Sequence, residues 1–316
     1  CPHVFCNCTF TDLGYNKKKE SITGELMKKL LIPFVFLICI IFCSVILFSP
    51  SSVDATSHAK ITMVEEIGAK TKINKEGCDI ASRFDVPDGF ERVTYDKDSF
   101  AEFLRHYPLK GFGEPVLLYD GRKKSNQVHV SVFDMPLLSE DLIQCADAVI
   151  KLRAEYLYEA KRYDEISFHI TNGMEVPFER YAKGERLIVS GNDASWKAGY
   201  KKGYGRDVFD SYLKFIYAYA GTYSLSKEAK KASIGEIEGG NFFIYGASPG
   251  HVVLVLDVAV NKTNGKKIMM LGQSYMPSQE FHVLKSYDNI SPWYYVEDSD
   301  LTTPEWHFDK GSLMKF

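Results

Sequence analysis

Apolar positions recur at two different periods along this chain, and each period predicts a kind of secondary structure. Between residues 141 and 162 they follow a period of 3.6, which predicts the best-defined helix, capped by Ser139 or Asp141. The apolar stripe of this helix consists of Leu142, Cys145, Val149, Leu152 and Tyr156. Two further helices are predicted at residues 99–105 and 208–223, and aromatic residues on all sides of the latter indicate deep burial.

Short runs of β-branched and aromatic residues predict strands. Two of these runs, residues 115–119 and 128–133, are separated by an Asp120-Gly121 turn. The other four follow late in the chain, at residues 242–245, 252–260, 267–273 and 281–284. Helices followed by neighbouring strands predict an α+β domain built on an antiparallel sheet.

Residues 184–206 are rich in glycine, lysine and aromatic side chains and lack a regular period. This pattern predicts a long loop, and long loops beside pockets often carry binding residues. Trp196, Tyr200 and Tyr204 are therefore candidates for stacking on a substrate. A mobile surface loop with incidental tyrosines is the alternative.

The composition indicates one sizeable domain and argues against some classes of partner. The chain has 316 residues, of which 45% are hydrophobic, enough for a substantial core. Basic and acidic residues are interspersed and the formal net charge is −3, so nucleic acid is not an expected partner. The histidines lack metal-binding spacing such as HExxH, so neither a metal nor a cofactor is expected. The sequence does not indicate an oligomeric state.

The N-terminal part of the chain predicts export. Lys28 and Lys29 precede an uncharged apolar run over residues 30–48. This arrangement predicts a signal peptide or a membrane anchor over residues 27–55, and both alternatives stay open. In either case the two lysines remain in the cytosol and the body of the protein lies outside the membrane.

The rest of the chain divides into three further segments. Residues 1–26, which open on cysteine, are expected to be a mis-annotated extension, residues 56–79 a polar linker, and residues 80–316 a single globular domain. Only Cys78 and Cys145 then belong to the exported body. In an oxidising compartment these two cysteines either form a disulfide or remain free.

The most informative stretch for function is Pro249-Gly250-His251, which leads into an apolar strand. An imidazole at the accessible edge of a buried strand is a candidate general base, and a structural histidine is the alternative. Cys145 is the candidate nucleophile, because a helix N-terminus and a neighbouring imidazole favour the thiolate. With Asp141 as the cap, Cys145 falls in the second turn, where the helix dipole acts weakly. A buried core cysteine is the alternative.

Gln273 is the candidate partner that orients the imidazole of His251. Asp257 is excluded, because its position along the same strand places it about 20 Å away. If Asn264-Gly265 forms a two-residue turn, His251 faces Ser278. A contact between Gln273 and His251 therefore needs a bulge or a longer loop.

The remaining candidates surround this predicted Cys/His/Gln group. The backbone N–H of Cys145 and the side-chain amide of Gln144 are expected to form an oxyanion hole. Ser274, Ser278 and Gln279 are expected to lie behind Gln273.

Two stretches resemble NlpC/P60 and CHAP cell-wall hydrolases, in which a glycine-rich strand precedes a Gly-His strand. The corresponding residues are Gly239-Gly240-Asn241-Phe242-Phe243-Ile244 and Gly250-His251-Val252-Val253-Leu254-Val255. The resemblance implies a papain-like fold, with a helix that carries Cys packed on an antiparallel sheet that carries His. The chain departs from it at Cys145, which lies far upstream of His251 and is not preceded by aspartate.

A longer resemblance extends from Ser82 to Phe316. Its phrases include Gln144-Cys145-Ala146-Asp147-Ala148, Gly221-Thr222-Tyr223-Ser224-Leu225 and Gln273-Ser274-Tyr275-Met276-Pro277-Ser278-Gln279. These phrases are similar to a bacterial family of exported proteins known as domain of unknown function 4846. That family implies no activity, so function depends on the residues themselves.

The residues favour an extracytoplasmic Cys/His hydrolase that acts on amide or ester bonds. Its expected substrates are polymers or peptides of the cell envelope, such as peptidoglycan stem peptides. The alternative is an envelope binding or scaffold module with the same fold and no chemistry. The protein contacts the membrane through its N-terminal segment if that segment is not cleaved.

Overall fold

The longest strand in the described part of the chain, His251–Asn261, lies within an antiparallel sheet of nine strands. The computed structural model describes residues 71–316, so the predicted extension, the signal or anchor segment and most of the linker lie outside the described residues. Within residues 71–316, no helix is both long and apolar enough to cross a membrane. The prediction of an α+β domain with an antiparallel sheet is confirmed.

Six helices and fifteen strands are present in the described part of the chain. The helices are α1 (Ile80–Arg83), α2 (Phe100–Arg105), α3 (Cys145–Glu159), α4 (Phe178–Ala182), α5 (Arg206–Tyr219) and α6 (Thr222–Glu228). The strands are β1 (Phe90–Arg92), β2 (His129–Val132), β3 (Ser167–His169), β4 (Glu175–Pro177), β5 (Glu185–Ser190), β6 (Asp193–Ala198), β7 (Lys230–Lys231), β8 (Phe242–Tyr245), β9 (His251–Asn261), β10 (Lys267–Gln273), β11 (His282–Leu284), β12 (Trp293–Tyr295), β13 (Leu301–Thr302), β14 (His307–Phe308) and β15 (Leu313–Lys315).

The main sheet has the strand order β2-β11-β10-β9-β8-β15-β7, with β1 and β12 also pairing to β9 and β10. The first nine residues of β9 are all buried, because both faces of this strand are covered. Val252 and Leu254 belong to the larger core, which also contains the apolar side of α3. Val253 and Val255 belong to a smaller core on the opposite face. The alternation follows from the two-residue period of a strand.

The one charged residue in the apolar part of β9 is neutralised by two arginines. Asp257 is fully buried, and its two carboxylate oxygens lie 2.6 Å from guanidinium nitrogens of Arg92 and Arg105. A buried carboxylate needs such partners, because its desolvation is otherwise costly. Asp257 therefore ties β1 and α2 to the central strand β9.

Most predicted elements are found close to their predicted bounds. The strands predicted at residues 242–245 and 267–273 have the same bounds in the structure. The predicted short helix is α2, and Ser99 caps it by accepting a hydrogen bond from the Glu102 backbone N–H at 3.2 Å.

The predicted start of the long helix is wrong by four residues. The helix begins at Cys145, and Gln144 is its N-cap, with extended backbone. Asp141 does not cap the helix, because its Oδ1 accepts hydrogen bonds from the Ser278 backbone N–H at 2.6 Å and from the Gln144 side chain at 3.1 Å. At the helix start it is Asp147, in the first turn, that accepts a hydrogen bond from the backbone N–H of the N-cap residue Gln144, at 3.0 Å.

The predicted loop at residues 184–206 is also wrong in its first half. Glu185–Ser190 and Asp193–Ala198 pair as an antiparallel hairpin, the β5–β6 ribbon. Its turn contains Gly191, which adopts a φ of 61°, a conformation that glycine accepts without strain. Leu187 is the one buried residue of these two strands, so an apolar alternation is hard to recognise in their sequence.

Two other predictions require correction. Residues 115–119 do not form a strand, although the Asp120-Gly121 turn is present and an isolated bridge pairs Leu117 with Lys123. The helix predicted at residues 208–223 is two helices, α5 and α6. They are separated because Ala220 and Gly221 adopt extended backbone conformations that interrupt the helical hydrogen bonds.

Candidate functional site

The thiol of Cys145 lies at the N-terminal end of α3, against the start of β9. Cys145 is the first residue of the helix and is 5% exposed. Its Sγ donates to the carbonyl oxygen of Gly250 at 4.0 Å, so the thiol lies beside the residue that precedes His251. Because the dipole acts mainly within the first turn, this position favours a thiolate more than the predicted second-turn position does.

His251 is the first residue of β9 and is fully buried. Its Nε2 lies 2.8 Å from Oε1 of Gln273, which confirms the predicted contact between these two side chains. Its Nδ1 is buried and has no hydrogen-bond partner within residues 71–316. A buried ring nitrogen without a partner is unusual and is one of the two atoms through which an imidazole accepts a proton.

The tautomer of His251 follows from the partners of Gln273. The Nε2 of Gln273 donates a hydrogen bond to Oε2 of Glu305 at 2.6 Å, and the other carboxylate oxygen of Glu305 pairs with Lys124. An ionised carboxylate only accepts hydrogen bonds, so the amide nitrogen of Gln273 faces Glu305 and the amide oxygen faces His251. The proton of the imidazole therefore resides on Nε2, and Nδ1 carries a lone pair.

The strand register explains how Gln273 reaches His251. Asn264-Gly265 does not form a two-residue turn, because five residues, 262–266, connect β9 and β10. A register shift between Met270 and Leu271 then moves the pairing by one more residue, so that Gly272 pairs with Leu254. Both the longer loop and the bulge that the contact needs are thus present.

Three aromatic rings surround the imidazole of His251. The ring centroids of Tyr275, Trp306 and Phe308 lie 4.7, 5.2 and 5.9 Å from that of His251. Burial lowers the pKa of His251 to about 4, and the hydrogen bond to Gln273 offsets only part of this effect. The imidazole is therefore neutral at pH 7.

The thiol of Cys145 is neutral as well. Burial, and then the charge of Asp147, raise its pKa to about 12. The site accordingly holds a neutral thiol against the Gly250 carbonyl and a neutral imidazole on the next residue of the chain, and it does not contain a preformed thiolate–imidazolium pair. Such a pair of groups supports chemistry in which the thiol loses its proton to a base while it attacks.

The predicted oxyanion donors lie at the same helix end. The backbone N–H of Cys145 belongs to the first turn, where helical N–H groups have no carbonyl partner within the helix. One N–H of the Gln144 side chain is held by Asp141 at 3.1 Å, and the amide has a second N–H. Cys145 and Gln144 also line the same cavity, which has a volume of about 330 Å³.

Ser274 and Gln279 are buried supports of this helix end. The Oγ of Ser274 donates to the carbonyl oxygen of Gln279 at 2.7 Å and lies 3.4 Å from that of Ile143. The Gln279 side chain donates to the carbonyl oxygen of Pro277 at 3.1 Å. Together with Ser278, which binds Asp141, these residues attach the segment after β10 to the start of α3.

The three aromatic residues predicted to bind substrate do not line the Cys145 cavity. The ring of Trp196 lies 3.9 Å from the guanidinium carbon of Arg180. Tyr204 stacks on Tyr163 with ring centroids 4.6 Å apart, and Tyr200 is exposed at 41%. The structure therefore separates these residues from Cys145 and His251, because the β5–β6 ribbon packs on α4 instead.

Neither described cysteine forms a disulfide, since Cys78 is exposed and Cys145 buried, and both are free.

Sequence reasoning identified no metal-binding group, but the structure brings donor atoms of Asp300, His307 and Asp309 within 4.8 Å of one another. All three residues are exposed, and exposed acidic groups commonly cluster without binding a metal.

Sequence reasoning missed Glu305, Lys124 and the aromatic residues Trp306 and Phe308. Glu305, Trp306 and Phe308 belong to the β13–β14 ribbon, and Lys124 lies in the segment before β2 and binds Glu305. Both segments are distant from His251 in sequence. No local pattern marks them, because each lies in a polar or irregular stretch.

Comparison with known proteins gives one match. A family model described as domain of unknown function 4846 matches residues 80–315. No curated protein and no solved structure matches the chain.

Proposed function

The chain belongs to the family of domain of unknown function 4846, and from the arrangement around Cys145 we propose that it is an extracytoplasmic cysteine hydrolase of amide or ester bonds. One observation carries the proposal. A helix-terminal thiol contacts the residue next to an imidazole whose Nε2 is held by Gln273 and whose buried Nδ1 has no partner in the described chain. This layout resembles that of papain-like enzymes, including NlpC/P60 hydrolases.

The proposed reaction proceeds through an acyl-enzyme. Sγ of Cys145 attacks the carbonyl carbon of the substrate while its proton passes to Nδ1 of His251. The tetrahedral oxyanion accepts hydrogen bonds from the Cys145 backbone N–H and the Gln144 amide. Collapse of this intermediate breaks the bond to the amine or alcohol, which leaves with the proton from His251. Water then gives a proton to His251, hydrolyses the thioester and regenerates the thiol.

The electrostatics favour proton transfer during attack over a preformed ion pair. Both groups are neutral near pH 7, because burial raises the pKa of Cys145 to about 12 and lowers that of His251 to about 4. Gln273 and Glu305 keep the lone pair on Nδ1, so His251 acts as a general base in this mechanism without tautomeric rearrangement.

The proposed location and substrates follow from the N-terminal sequence. The apolar run within residues 27–55 supports a location of the domain outside the membrane, as a secreted or a membrane-anchored protein. Amide bonds of the cell envelope, such as those of peptidoglycan stem peptides, are abundant in that compartment. They are the substrates we propose.

A non-catalytic envelope binding or scaffold module is the second candidate function. The observation that favours it is the burial of Cys145, which is 5% exposed and has a thiol pKa raised to about 12. Buried cysteines of this kind are usually inert. In this alternative the cavity binds a ligand, and the Cys145 thiol serves only in packing.

The deciding experiment is trapping of an acyl-enzyme. We expect the full-length protein, incubated with p-nitrophenyl acetate, to form an acetyl adduct on the Cys145 peptide that mass spectrometry detects and that decays with time. Cys145→Ala removes the adduct, and His251→Ala slows its formation by about 100-fold. Cys78→Ser is the matched control, because Cys78 is an exposed free thiol remote from His251 in the sequence. Modification of Cys145 only after unfolding would establish the non-catalytic alternative.

A further inference from the structure

Two buried side chains beside Cys145 carry polar atoms without a partner. Asp147 and Tyr217 are 6% and 7% exposed, and both line the cavity that contains Cys145. The Oδ1 of Asp147 and the hydroxyl of Tyr217 have no hydrogen-bond partner within residues 71–316. Buried polar groups are nearly always hydrogen-bonded, so these two atoms are available to a group that enters the cavity.

The position of Asp147 places this pair next to the reacting thiol. The other carboxylate oxygen of Asp147, Oδ2, accepts a hydrogen bond from the Gln144 backbone N–H at 3.0 Å. The carboxyl group therefore lies at the end of α3 where Cys145 begins the helix. Tyr217 approaches from α5, which packs on α3.

The charge of the cavity selects the kind of group that fits. Asp141 and Asp147 are the acidic residues among its described lining, which contains no lysine, arginine or histidine. Asp141 is already bound to Ser278 and Gln144, whereas Asp147 has a free oxygen. Burial, followed by the charges of Glu155 and Asp147, holds the pKa of Tyr217 well above its usual value, so its hydroxyl stays neutral and is able to accept a hydrogen bond.

An ammonium group satisfies all of these requirements. It offers three hydrogen-bond donors, which complement the carboxyl oxygen of Asp147 and the phenol oxygen of Tyr217. Burial raises the pKa of Asp147 to about 8, and the positive charge of a bound ammonium group favours the ionised carboxylate. We propose that Asp147 and Tyr217 form a subsite for the free amino group of an acyl donor whose carbonyl carbon is attacked by Cys145. The substrates are then amides or esters of an amino acid, or of the N-terminal residue of a peptide, with an unblocked α-amino group.

This inference rests on the proposed hydrolase function for its substrate, but binding tests it separately from catalysis. The test uses full-length Cys145→Ala protein with two probes, L-alaninamide and N-acetyl-L-alaninamide, and measures dissociation constants by ligand-observed NMR. We expect the free amine to bind at least 10-fold more tightly than the acetylated probe. Asp147→Asn and Tyr217→Phe, each added to Cys145→Ala, are expected to weaken binding of the free amine by about 10- to 100-fold.

Tyr212→Phe is the matched control. Tyr212 is a buried tyrosine on the same helix, but its hydroxyl donates to the carbonyl oxygen of Val176 at 2.8 Å and does not line the cavity. This variant is expected to leave binding of both probes unchanged. Thermal unfolding identifies any variant that fails to fold. If one of Asp147→Asn and Tyr217→Phe does not fold, the other variant alone tests the subsite.

The outcomes separate the subsite from the chemistry. Equal binding of the two probes, or binding of neither, overturns the subsite. Selective binding of the free amine without an acyl adduct on wild-type Cys145 supports the subsite and overturns the hydrolase. An adduct that forms equally from p-nitrophenyl esters of L-alanine and of N-acetyl-L-alanine supports the hydrolase and overturns the subsite.

Discussion

The amide nitrogen of Gln273 lies 2.6 Å from Oε2 of Glu305, and this contact determines which end of the Gln273 amide faces His251. The carboxylate of Glu305 is in turn held by Lys124. A polar chain of four side chains thus extends from Lys124 to the imidazole. Its consequence is a single tautomer of His251 in which Nδ1 carries the lone pair.

Removal of the Glu305 side chain should allow His251 to adopt both neutral tautomers. In Glu305→Ala the amide of Gln273 is free to turn, and the lone pair of His251 then exchanges between its two nitrogens. We expect the nitrogen NMR shifts of His251 to show Nε2–H in the wild type and a mixture in the variant, with acyl-adduct formation about 10- to 100-fold slower. Glu305→Gln, which retains an acceptor oxygen, should recover most of the rate. A wild-type His251 protonated on Nδ1 would contradict this assignment.

The reactivity of Cys145 towards iodoacetamide should be low at neutral pH in the free protein. Burial and the charge of Asp147 raise the pKa of the thiol to about 12, so the thiolate fraction rises with pH up to at least pH 9. We expect a labelling rate for the Cys145 peptide that increases steadily between pH 5 and 9. The peptide that contains exposed Cys78 provides the internal control. Rapid labelling at pH 6 that His251→Ala abolishes would instead reveal an ion pair.

Asp147 should make the protein less stable as the pH rises. Burial raises the pKa of this carboxyl from 3.8 to about 8, so the folded state binds a proton that the unfolded state releases above pH 4. The free energy of unfolding therefore falls between pH 4 and pH 8, by roughly 4 kcal/mol at pH 7. We expect urea unfolding to show that Asp147→Asn lacks this fall and is more stable than wild type at pH 8. Val149→Ala, a neutral change on α3, should keep the wild-type slope.

The buried histidine His282 should make the protein less stable as the pH falls below 6.5. Burial lowers the pKa of His282 to about 3, below the 6.5 of an exposed imidazole. The unfolded state therefore binds more protons below pH 6.5, and the stability present above that pH is lost as the pH falls towards 3. By pH 5 the loss from His282 is about 2 kcal/mol.

The variant His282→Leu should separate this effect from packing. It loses the hydrogen bond to the Glu280 carbonyl oxygen, which costs about 1 kcal/mol at pH 7, but it no longer takes up a proton at pH 5. We expect urea midpoints of the variant to change less than those of wild type between pH 7 and pH 5. Phe281→Leu, a core change without a titrating group, should lower both midpoints equally. An unchanged pH slope in His282→Leu would refute the prediction.

Several elements were predictable because they depend on residues adjacent in the chain. The run of apolar and aromatic residues at 242–245 and the apolar runs at 252–260 and 267–273 match β8, β9 and β10. The stripe that contains Val149 and Leu152 likewise predicted the helix that packs on β9. Their burial follows from the pattern, since each face that carries apolar side chains must be covered.

The boundaries and the register were decided by long-range partners. Asp141 is a good cap by sequence, but Ser278 binds it, and the helix consequently begins at Cys145. The Met270–Leu271 bulge and the five-residue loop place Gln273 beside His251, whereas a two-residue turn at Asn264-Gly265 would have placed Ser278 opposite it. A hydrogen bond between distant residues does not change the spacing of apolar residues in either segment, so the sequence pattern does not predict it.

The sequence by itself thus determined the α+β class, the central strands and the candidate trio of Cys145, His251 and Gln273. Only the tertiary structure decided that Cys145 lies in the first helical turn, that Glu305 orients Gln273, and that Asp147 and Tyr217 meet at one cavity. The physical reason is the range of the interactions. Periodicity records the burial of neighbouring residues, whereas desolvation and hydrogen-bond direction depend on groups that only folding brings together.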